Sequence, residues 1–260
     1  MQKESALITG ATSGIGNEFL RIFAERGYDL FLMSRNEEKM NGIRKKFADV
    51  CGSAVRTMRI DLAKPSAAGR VYEETVAQEI EIQMLVHNAG VGLAGLHADL
   101  DAGKVKEMIQ LNVITLAELC SLFGRGMKER GGGFILNVAS AAAYQPTPYT
   151  AVYGATKSYV LNFPEALAKQ RKDYNVAVTC LSPISTDTNF FDHVGVEGVR
   201  ERKKGIWAKK NLMESREVAE IGVQALLAEK LSVIAGTANS LLAFSNRLVP
   251  AATPPAFPKS

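Results

Sequence analysis

Tyr153 and Lys157 lie four residues apart in a segment with the apolar spacing of a helix. Side chains at i and i+4 share a helix face, so the phenol and the ammonium can lie side by side. A nearby ammonium favours the phenolate, and we expect it to lower the pKa of Tyr153 from about 10 toward neutral pH. Ser140, separated from the tyrosine by twelve residues, completes the set. The spacing predicts a proton-transfer site, although a Tyr and Lys pair on a solvated helix face would have no function.

A glycine-rich turn follows the first apolar run of the chain. It reads Thr9-Gly10-Ala11-Thr12-Ser13-Gly14-Ile15-Gly16 and leads into a helical pattern. Gly10 allows a sharp turn, Gly14 lets backbone N–H groups approach a pyrophosphate, and Gly16 permits close helix packing. The helix N-terminus adds partial positive charge. A plain strand-to-helix turn is the alternative, but the position between a strand and a helix favours dinucleotide binding.

The second predicted strand ends at Ser34 and Arg35, where an acidic residue would bind the ribose of NAD. Arg35 suits a ribose 2′-phosphate instead, with Ser34 donating a hydrogen bond, so NADP(H) is the preferred cofactor and NAD(H) a possible one. The alternative is a solvated Arg35 beside Glu37 and Glu38. Asp61 ends the third predicted strand and is either an acceptor for the adenine amino group or a helix N-cap.

These side chains need a scaffold of alternating strands and helices. Short apolar runs predict strands over Ser5 to Thr9, Tyr28 to Met33, Val55 to Ile60, Met84 to His87, Gly133 to Val138, Val176 to Leu181 and Ser232 to Ala235. Helical spacing predicts helices over Ile15 to Arg26, Glu37 to Ala48, Pro65 to Ile80, Asp101 to Arg130, Ala151 to Lys172 and Arg216 to Glu229. Nearly continuous apolar runs are typical of strands buried on both faces. The pattern predicts an α/β fold with a doubly wound parallel sheet of about seven strands, of the Rossmann type.

Composition indicates an ordinary globular protein. The chain has 260 residues, 47% hydrophobic and 22% charged, which excludes collagen-like, disordered and coiled-coil classes. Cys51, Cys120 and Cys180 are dispersed, as are the three histidines, so neither a disulfide framework nor a metal site is predicted. No run approaches the roughly 18 apolar residues of a membrane span, and the first residues lack a signal-peptide core. We expect a cytoplasmic protein without stable membrane insertion.

The domain organisation follows from two irregular regions. We expect one domain over residues 1–249, with residues 184–212 as a substrate-binding lid and residues 250–260 as a loosely ordered tail. The mostly apolar segment Thr237 to Val249 could cap the core, join a subunit partner or contact lipid. Residues 200–210 carry six basic side chains, so the net charge of +4 is largely local. This patch is either a solvated face or an attractor for an acidic group, and nothing else suggests nucleic acid.

In its motifs the chain resembles the classical short-chain dehydrogenase/reductase family from Ser5 to Ala235. The matching motifs are Thr9-Gly10-x-x-x-Gly14-x-Gly16, Asp61-Leu62, Asn88-Ala89-Gly90, Asn112, Ser140, Tyr153-x-x-x-Lys157 and Pro183. The resemblance implies that Tyr153 is the general acid/base and that Lys157 also holds the nicotinamide ribose. It implies that Ser140 orients the substrate oxygen and Asn112 supports a relay water. It further implies a homodimer or homotetramer through the helices that carry Asn112 and Tyr153.

The resemblance and the glycine turn together give a set of predicted cofactor contacts. They are Gly10, Thr12, Ser13, Gly14, Ile15, Gly16, Ser34, Arg35, Asp61, Leu62, Asn88, Ala89, Gly90, Tyr153, Lys157, Pro183, Thr186 and Thr188. Three positions depart from expectation. Ile184 follows Pro183 where the family usually has Gly, and His87 replaces a frequent Asn and is expected to be a packed, satisfied histidine rather than a proton carrier. Pro164 is expected to kink or locally break the Tyr153 helix.

The predicted function is hydride transfer between NADP(H) and a carbonyl or secondary alcohol on a largely apolar small molecule. Predicted pocket residues are apolar or aromatic: Val91, Leu93, Ala141, Ala142, Ala143, Tyr144, Tyr149, Ile184, Phe190, Phe191 and Trp207. The last three could instead only pack the lid. Two other functions stay open. One is an NAD-retaining sugar-nucleotide epimerase or dehydratase, although such enzymes usually carry an extra substrate domain for which 260 residues leave little space. The other is a non-catalytic nucleotide-binding regulator.

Overall fold

A seven-stranded parallel sheet forms the centre of the molecule. The computed structural model describes residues 4–171, 174–183 and 213–236, and the strands run in the order β3-β2-β1-β4-β5-β6-β7. Their bounds are β1 (Ser5–Thr9), β2 (Asp29–Ser34), β3 (Val55–Arg59), β4 (Ile82–His87), β5 (Gly133–Val138), β6 (Val176–Ser182) and β7 (Ser232–Ile234). The predicted doubly wound sheet is confirmed.

Helices cover both faces of the sheet. They are α1 (Gly14–Glu25), α2 (Glu37–Cys51), α3 (Ala67–Ala77), α4 (Ala102–Ile109), α5 (Leu116–Glu129), α6 (Ala151–Arg171) and α7 (Ser215–Leu227). Ile8 packs in a core with residues of α1 and α7, whereas its neighbour Leu7 packs in a second core with residues of α3, α5 and α6. Because successive strand residues point to opposite faces, burial on both sides requires the continuous apolar runs seen in the sequence.

The order of the strands determines where a ligand can bind. The chain moves from β1 to β2 and β3 on one side and then returns to β4 on the other side of β1. At this reversal the helices that follow β1 and β4 pack on opposite faces of the sheet, and doubly wound proteins bind their ligands in the crevice at the carboxyl edge of such a point. The glycine turn follows β1, and Asn88 to Gly90 follow β4, so both predicted cofactor segments border that crevice.

The helix predicted from Asp101 to Arg130 is divided in three. α4 ends at Ile109, a π-helical segment spans Gln110–Thr115, and α5 begins at Leu116. The buried residues of the π segment are Asn112 and Thr115, both polar, so a search for apolar spacing did not reveal it. Such turns are frequent at functional sites, and this one contains Asn112.

α6 continues through Pro164, so of the kink or local break expected there the break is wrong and the kink stays a prediction. Pro164 has no N–H for the carbonyl of Val160, one helical turn earlier. The thiol of Cys180 in β6 donates to that oxygen instead, with a Sγ···O distance of 3.4 Å. Burial raises the pKa of Cys180 to about 12, so the thiol keeps its proton. A donor from the sheet therefore replaces the missing backbone donor.

His87 is buried in β4, as expected for a packed histidine. Burial lowers its pKa to about 3, so the ring is uncharged near neutral pH and does not act as a proton carrier there. Its Nε2 has no hydrogen-bond partner within the described part of the chain, so the packing of the expected packed, satisfied histidine is confirmed and its hydrogen bonding is not. In the same described ranges, every helix is too short or too polar to cross a bilayer.

Candidate active site

The glycine turn is held rigidly against the loop after β4. The side chain of Asn88 donates from Nδ2 to the carbonyl oxygens of Thr9 (3.3 Å) and Gly10 (3.0 Å). In return, Thr9 Oγ1 accepts from the backbone N–H groups of Asn88 (3.1 Å) and Ala89 (3.0 Å). These bonds join the ends of β1 and β4 and shape both sides of the crevice.

Two glycines of the turn cannot be replaced without moving it. Gly10 has a φ of +64°, in the left-handed region that favours glycine. A Cβ at Gly10 would lie 2.8 Å from Ala89 Cα, and one at Gly16 would lie 2.5 Å from Asn88 Nδ2 and overlap the Gly10 carbonyl. α1 begins at Gly14, and the side chain of Ser13 does not cap it. The backbone N–H groups of this first turn can therefore serve an anion, and the residues present fit the pyrophosphate of a dinucleotide.

The ends of β2 and β3 form the next part of the crevice. Ser34 Oγ accepts from the Asn36 backbone N–H (3.1 Å), and Arg35 is exposed. Glu37, which could have occupied Arg35, instead lies 3.9 Å from Arg59, measured from Oε2 to Nη1. Arg59 pairs in register with Ser34. This second guanidinium was not among the predicted site residues, although aligning the ends of the two predicted strands would have found it.

Asp61 does not cap a helix. Its Oδ1 accepts from the Ala63 backbone N–H two residues on (3.0 Å), whereas α3 begins only at Ala67. The local bond is an Asx turn, which orients the carboxylate at the end of β3. Leu62 beside it is buried. The helix-cap alternative is therefore wrong, and contact with adenine stays a prediction.

Ser140, Tyr153 and Lys157 meet at the carboxyl edge of β5. Ser140 follows the strand, accepts from the Ala142 N–H (3.2 Å) and hydrogen-bonds to the Tyr153 phenol. Lys157 is buried, and its Nζ donates to the carbonyl of Val138 (2.8 Å), the last residue of β5. The same Nζ lies 6.0 Å from the centroid of the Tyr153 ring. The helix spacing thus brings the two side chains together as predicted.

The predicted direction of the Tyr153 pKa is wrong. Burial of the phenol raises its pKa, although the hydrogen bond from Ser140 acts in the opposite sense. Burial also lowers the pKa of Lys157 to about 8. Desolvation disfavours the charged form of both groups, and here it outweighs the attraction that the i, i+4 spacing suggested. Tyr153 is therefore a protonated phenol at neutral pH, ready to donate a hydrogen ion.

Asn112 connects the π segment to its surroundings through its whole side chain. Its Oδ1 accepts from the Val91 N–H (3.0 Å), while its Nδ2 donates to the Val91 carbonyl (2.9 Å) and to Thr156 Oγ1 (3.1 Å). A Cβ at Gly90 would meet both Asn112 Oδ1 (3.3 Å) and Lys157 Nζ (3.4 Å). Asn112 therefore lies close to the catalytic helix, and Thr156 is a site residue that the motif search did not single out.

Pro183, which directly follows β6, lies at the described end of the site. The carbonyl of Pro183 accepts from the backbone N–H of Ala141 (2.9 Å), so it borders the Ser140 turn. Tyr144 Oη lies 3.2 Å from the Oγ of Ser182, the last residue of β6, and this hydrogen bond joins the segment after Ser140 to the end of that strand. The predicted contacts Thr186 and Thr188, the departure at Ile184, the basic stretch, the lid residues Phe190, Phe191 and Trp207, and the segments 237–249 and 250–260 lie outside the described residues.

The low pKa of Lys157 predicts a pH-dependent stability. This pKa is about 8 in the folded protein against an ordinary value of 10.5. Between these values the unfolded chain binds more protons than the folded one, so stability rises with pH. Lys157→Met removes the titration. Between pH 8 and pH 10.5, we expect the unfolding free energy of the wild type to increase relative to that of the variant by no more than about 3 kcal/mol. Urea unfolding at several pH values measures this increase, and a difference that does not change with pH would show that folding does not lower the pKa of Lys157.

A doubly wound sheet with a rigid glycine turn at its crevice defines a Rossmann-type nucleotide-binding protein. The sequence matches the family model described as short chain dehydrogenase over residues 4–196. The chain therefore belongs to the short-chain dehydrogenase family, a family of oxidoreductases, and the resemblance seen in its motifs is confirmed.

Known proteins of this family resemble the chain at moderate identity. It is 30% identical over 185 residues to 17-beta-hydroxysteroid dehydrogenase type 3 of Mus musculus, covering 70% of this chain and 60% of that protein. Very-long-chain 3-oxoacyl-CoA reductase of Mus musculus is also 30% identical, with coverage of 69% and 58%. The chain thus spans less than two thirds of these two relatives. A short-chain dehydrogenase from Sphingobium yanoikuyae, solved in complex with NADPH, superposes with a TM-score of 0.82 at 25% identity, covering 94% and 93% of the two chains.

Proposed function

We propose that the protein is an NADPH-preferring carbonyl reductase, reversible in principle, that can also accept NADH. One observation carries the proposal: the hydrogen-bonded Ser140 and Tyr153 lie with the buried Lys157 at the same edge of the sheet as the glycine turn. A proton donor and a dinucleotide crevice on one edge are the two parts that carbonyl reduction requires. Membership of an oxidoreductase family supports the same reaction.

In the proposed reaction, the bound nicotinamide supplies the hydride. Tyr153 donates its phenolic hydrogen to the developing alkoxide, a role suited to a phenol whose pKa is raised by burial. Ser140 orients the carbonyl oxygen through its hydroxyl, which already contacts that phenol. The ammonium of Lys157 stabilises the tyrosinate left behind and holds the nicotinamide ribose. In the oxidation of an alcohol the reaction runs backward, and Tyr153 accepts the proton of the substrate hydroxyl group.

The proposed cofactor site runs along the crevice from the glycine turn to α6. The backbone N–H groups of the first turn of α1 would bind the pyrophosphate, and Asn88, Ala89 and Gly90 would border the adenosine half. Arg35 would pair with the 2′-phosphate beside Ser34, with Asp61 at the adenine. The solved relative from Sphingobium yanoikuyae, which was crystallised with NADPH, supports this choice of dinucleotide.

The proposed substrates are aldehydes, ketones or secondary alcohols on an apolar body. Among the described residues, the loops beside Tyr153 offer mainly apolar and aromatic side chains: Val91, Leu93, Ala141, Ala142, Ala143, Tyr144 and Tyr149. The names of the two mouse relatives, a hydroxysteroid dehydrogenase and a very-long-chain 3-oxoacyl-CoA reductase, point to bulky apolar molecules of the same kind. We further propose a homodimer or homotetramer in the cytoplasm.

Turnover assays with a panel of aldehydes, ketones and alcohols test the proposal. Each compound is incubated with NADPH or NADH, or with the oxidised cofactor for alcohols, and the absorbance of the reduced nicotinamide is followed. We expect reduction of apolar ketones with NADPH at a higher kcat/KM than with NADH. Absence of turnover throughout the panel, despite tight NADPH binding, would favour a non-catalytic regulator. Retained NAD without net redox change would favour an epimerase.

Arg35→Ala tests the cofactor preference. Loss of the guanidinium removes a charge-assisted pair with the 2′-phosphate, an interaction of about 1.5–3 kcal/mol, so KM for NADPH should rise roughly 10- to 100-fold. The KM for NADH should change little because NADH lacks that phosphate. Arg56→Ala is the matched control: Arg56 lies on neighbouring β3 at its opposite end, 3.8 Å from Asp29 between Nη1 and Oδ2. An equal effect of Arg35→Ala on both cofactors would remove Arg35 from this role.

A further inference from the structure

Thr156 connects the catalytic helix to the π segment through one hydroxyl group. It is buried, it lies between Tyr153 and Lys157 in the chain, and its Oγ1 donates to the Tyr153 carbonyl (2.8 Å). The same oxygen accepts from Asn112 Nδ2 (3.1 Å). Only a hydroxyl can donate and accept at one atom in this way, so Val at this position would lose both bonds.

The bond from Asn112 extends the connection to a third element. Both remaining partners of the Asn112 amide are the backbone N–H and carbonyl of Val91, in the loop after β4. Hydrogen bonds therefore run without interruption from Val91 through Asn112 and Thr156 to the backbone of Tyr153. They join the loop that borders the cofactor crevice to the first turn of the catalytic helix.

The π segment needs such support. A π turn is an uncommon backbone conformation, and the surrounding structure must stabilise it. A Cβ at Gly90 would approach both Asn112 Oδ1 and Lys157 Nζ to within 3.4 Å, so the side chains of Asn112 and Lys157 border the same glycine. A shift of Asn112 would reach the backbone of Tyr153 through the Thr156 hydroxyl.

We propose that Thr156 is a positioning residue for the reaction. Its hydroxyl holds the π segment against α6, and it thereby sets the place of the Tyr153 phenol and the Lys157 ammonium relative to the crevice. The expected effect on rate rests on the proposed function. The expected effect on the hydrogen bonds between the π segment and α6 does not. Misplacement of a reacting group by about 1 Å can lower a rate on the order of 100-fold.

The test compares Thr156→Val, Thr156→Ala and Thr156→Ser with a matched control, Thr75→Val. Thr75 is equally buried and makes the same local bond, from its Oγ1 to the carbonyl three residues earlier, Tyr72, at 2.7 Å. It lies in α3, away from the site. Thr75→Val therefore removes an equivalent helix bond without touching Asn112.

The first readout is kinetic. We expect Thr156→Val and Thr156→Ala to lower kcat roughly 10- to 100-fold, with a change of less than about threefold in the Kd of NADPH. Thr156→Ser should retain most of the wild-type kcat because it keeps the hydroxyl, and Thr75→Val should match the wild type. A purely structural role would lower the fraction of active enzyme and leave the kcat of that active fraction at the wild-type value, which would count against the proposal. Equal kcat values in Thr156→Val and the wild type would overturn the proposal.

The second readout does not depend on activity. Amide hydrogen exchange should become about tenfold faster or more in the peptides covering residues 110–115 and 150–157 of Thr156→Val, and return toward wild type in Thr156→Ser. Unchanged exchange there would overturn the positioning role even if the enzyme reduces ketones. Faster exchange in an otherwise folded protein that turns over no compound would support the contact and count against the proposed function. If Thr156→Val does not fold, the comparison of Ala with Ser decides.

Discussion

Tyr153→Phe is expected to lower kcat for ketone reduction by about 10²- to 10⁴-fold, the usual contribution of a general acid. The substitution removes only the phenolic oxygen, so the ring still packs and the cofactor crevice is unchanged. NADPH should therefore bind with nearly its wild-type Kd. Steady-state assays and fluorescence titration of NADPH measure the two quantities separately, and loss of kcat with retained binding is the expected pattern.

Tyr159→Phe is the control for this substitution. Tyr159 lies on the same helix, six residues after Tyr153, with its ring stacked on Phe163 at 5.2 Å between centroids. The same change of atoms there should leave kcat within about twofold of wild type, since surface and partly buried substitutions away from special features have small effects. Undiminished turnover in Tyr153→Phe would show that another group supplies the hydrogen ion, and the proposed mechanism would be wrong.

Gly16→Ala is expected to weaken NADPH binding by roughly 100-fold or more. The new Cβ would overlap the Gly10 carbonyl and lie 2.5 Å from Asn88 Nδ2, so the turn or the loop after β4 must move. Displacing the turn loses several backbone hydrogen bonds to the pyrophosphate, and about 2.7 kcal/mol of lost interaction corresponds to a factor of 100. Overpacking should also lower the unfolding free energy by about 1–3 kcal/mol. Calorimetric titration and urea unfolding measure the two effects.

Gly42→Ala provides the matched comparison. Gly42 lies in the middle of α2, and a Cβ there would meet no atom within 4 Å. Alanine should leave NADPH binding unchanged and stabilise the helix by up to about 1 kcal/mol. If Gly16→Ala bound NADPH as well as Gly42→Ala does, the glycine turn would not be the pyrophosphate site.

Much of the fold could be predicted because its strands are buried on both faces. β1 and β5 have the predicted bounds, and the other strands differ by one or two residues at an end. The π segment escaped prediction because its buried residues, Asn112 and Thr115, are polar and leave no mark on an apolar pattern. α6 continues through Pro164, and the carbonyl that lacks its backbone donor accepts from the thiol of Cys180 in β6, a partner that no local pattern reveals.

The candidate site was predictable in its residue types but not in its electrostatics. Helix spacing places Lys157 beside Tyr153, yet it says nothing of how deeply the two groups are buried, and burial determines the direction of both pKa shifts. Thr156 was overlooked for a related reason: its hydroxyl contacts Asn112 in another element, and only the folded chain brings the two together. Arg59 could have been found by aligning the ends of the second and third predicted strands, since it pairs in register with Ser34.

A crystal structure of the protein with NADP⁺ is the most direct test of the account. We predict a pyrophosphate on the backbone N–H groups between Gly10 and Gly16, a 2′-phosphate at Arg35, and a nicotinamide whose C4 faces the hydroxyl groups of Tyr153 and Ser140. A crevice that stays empty at saturating NADP⁺, or a nicotinamide bound with the Tyr153 phenol directed away from C4, would contradict it.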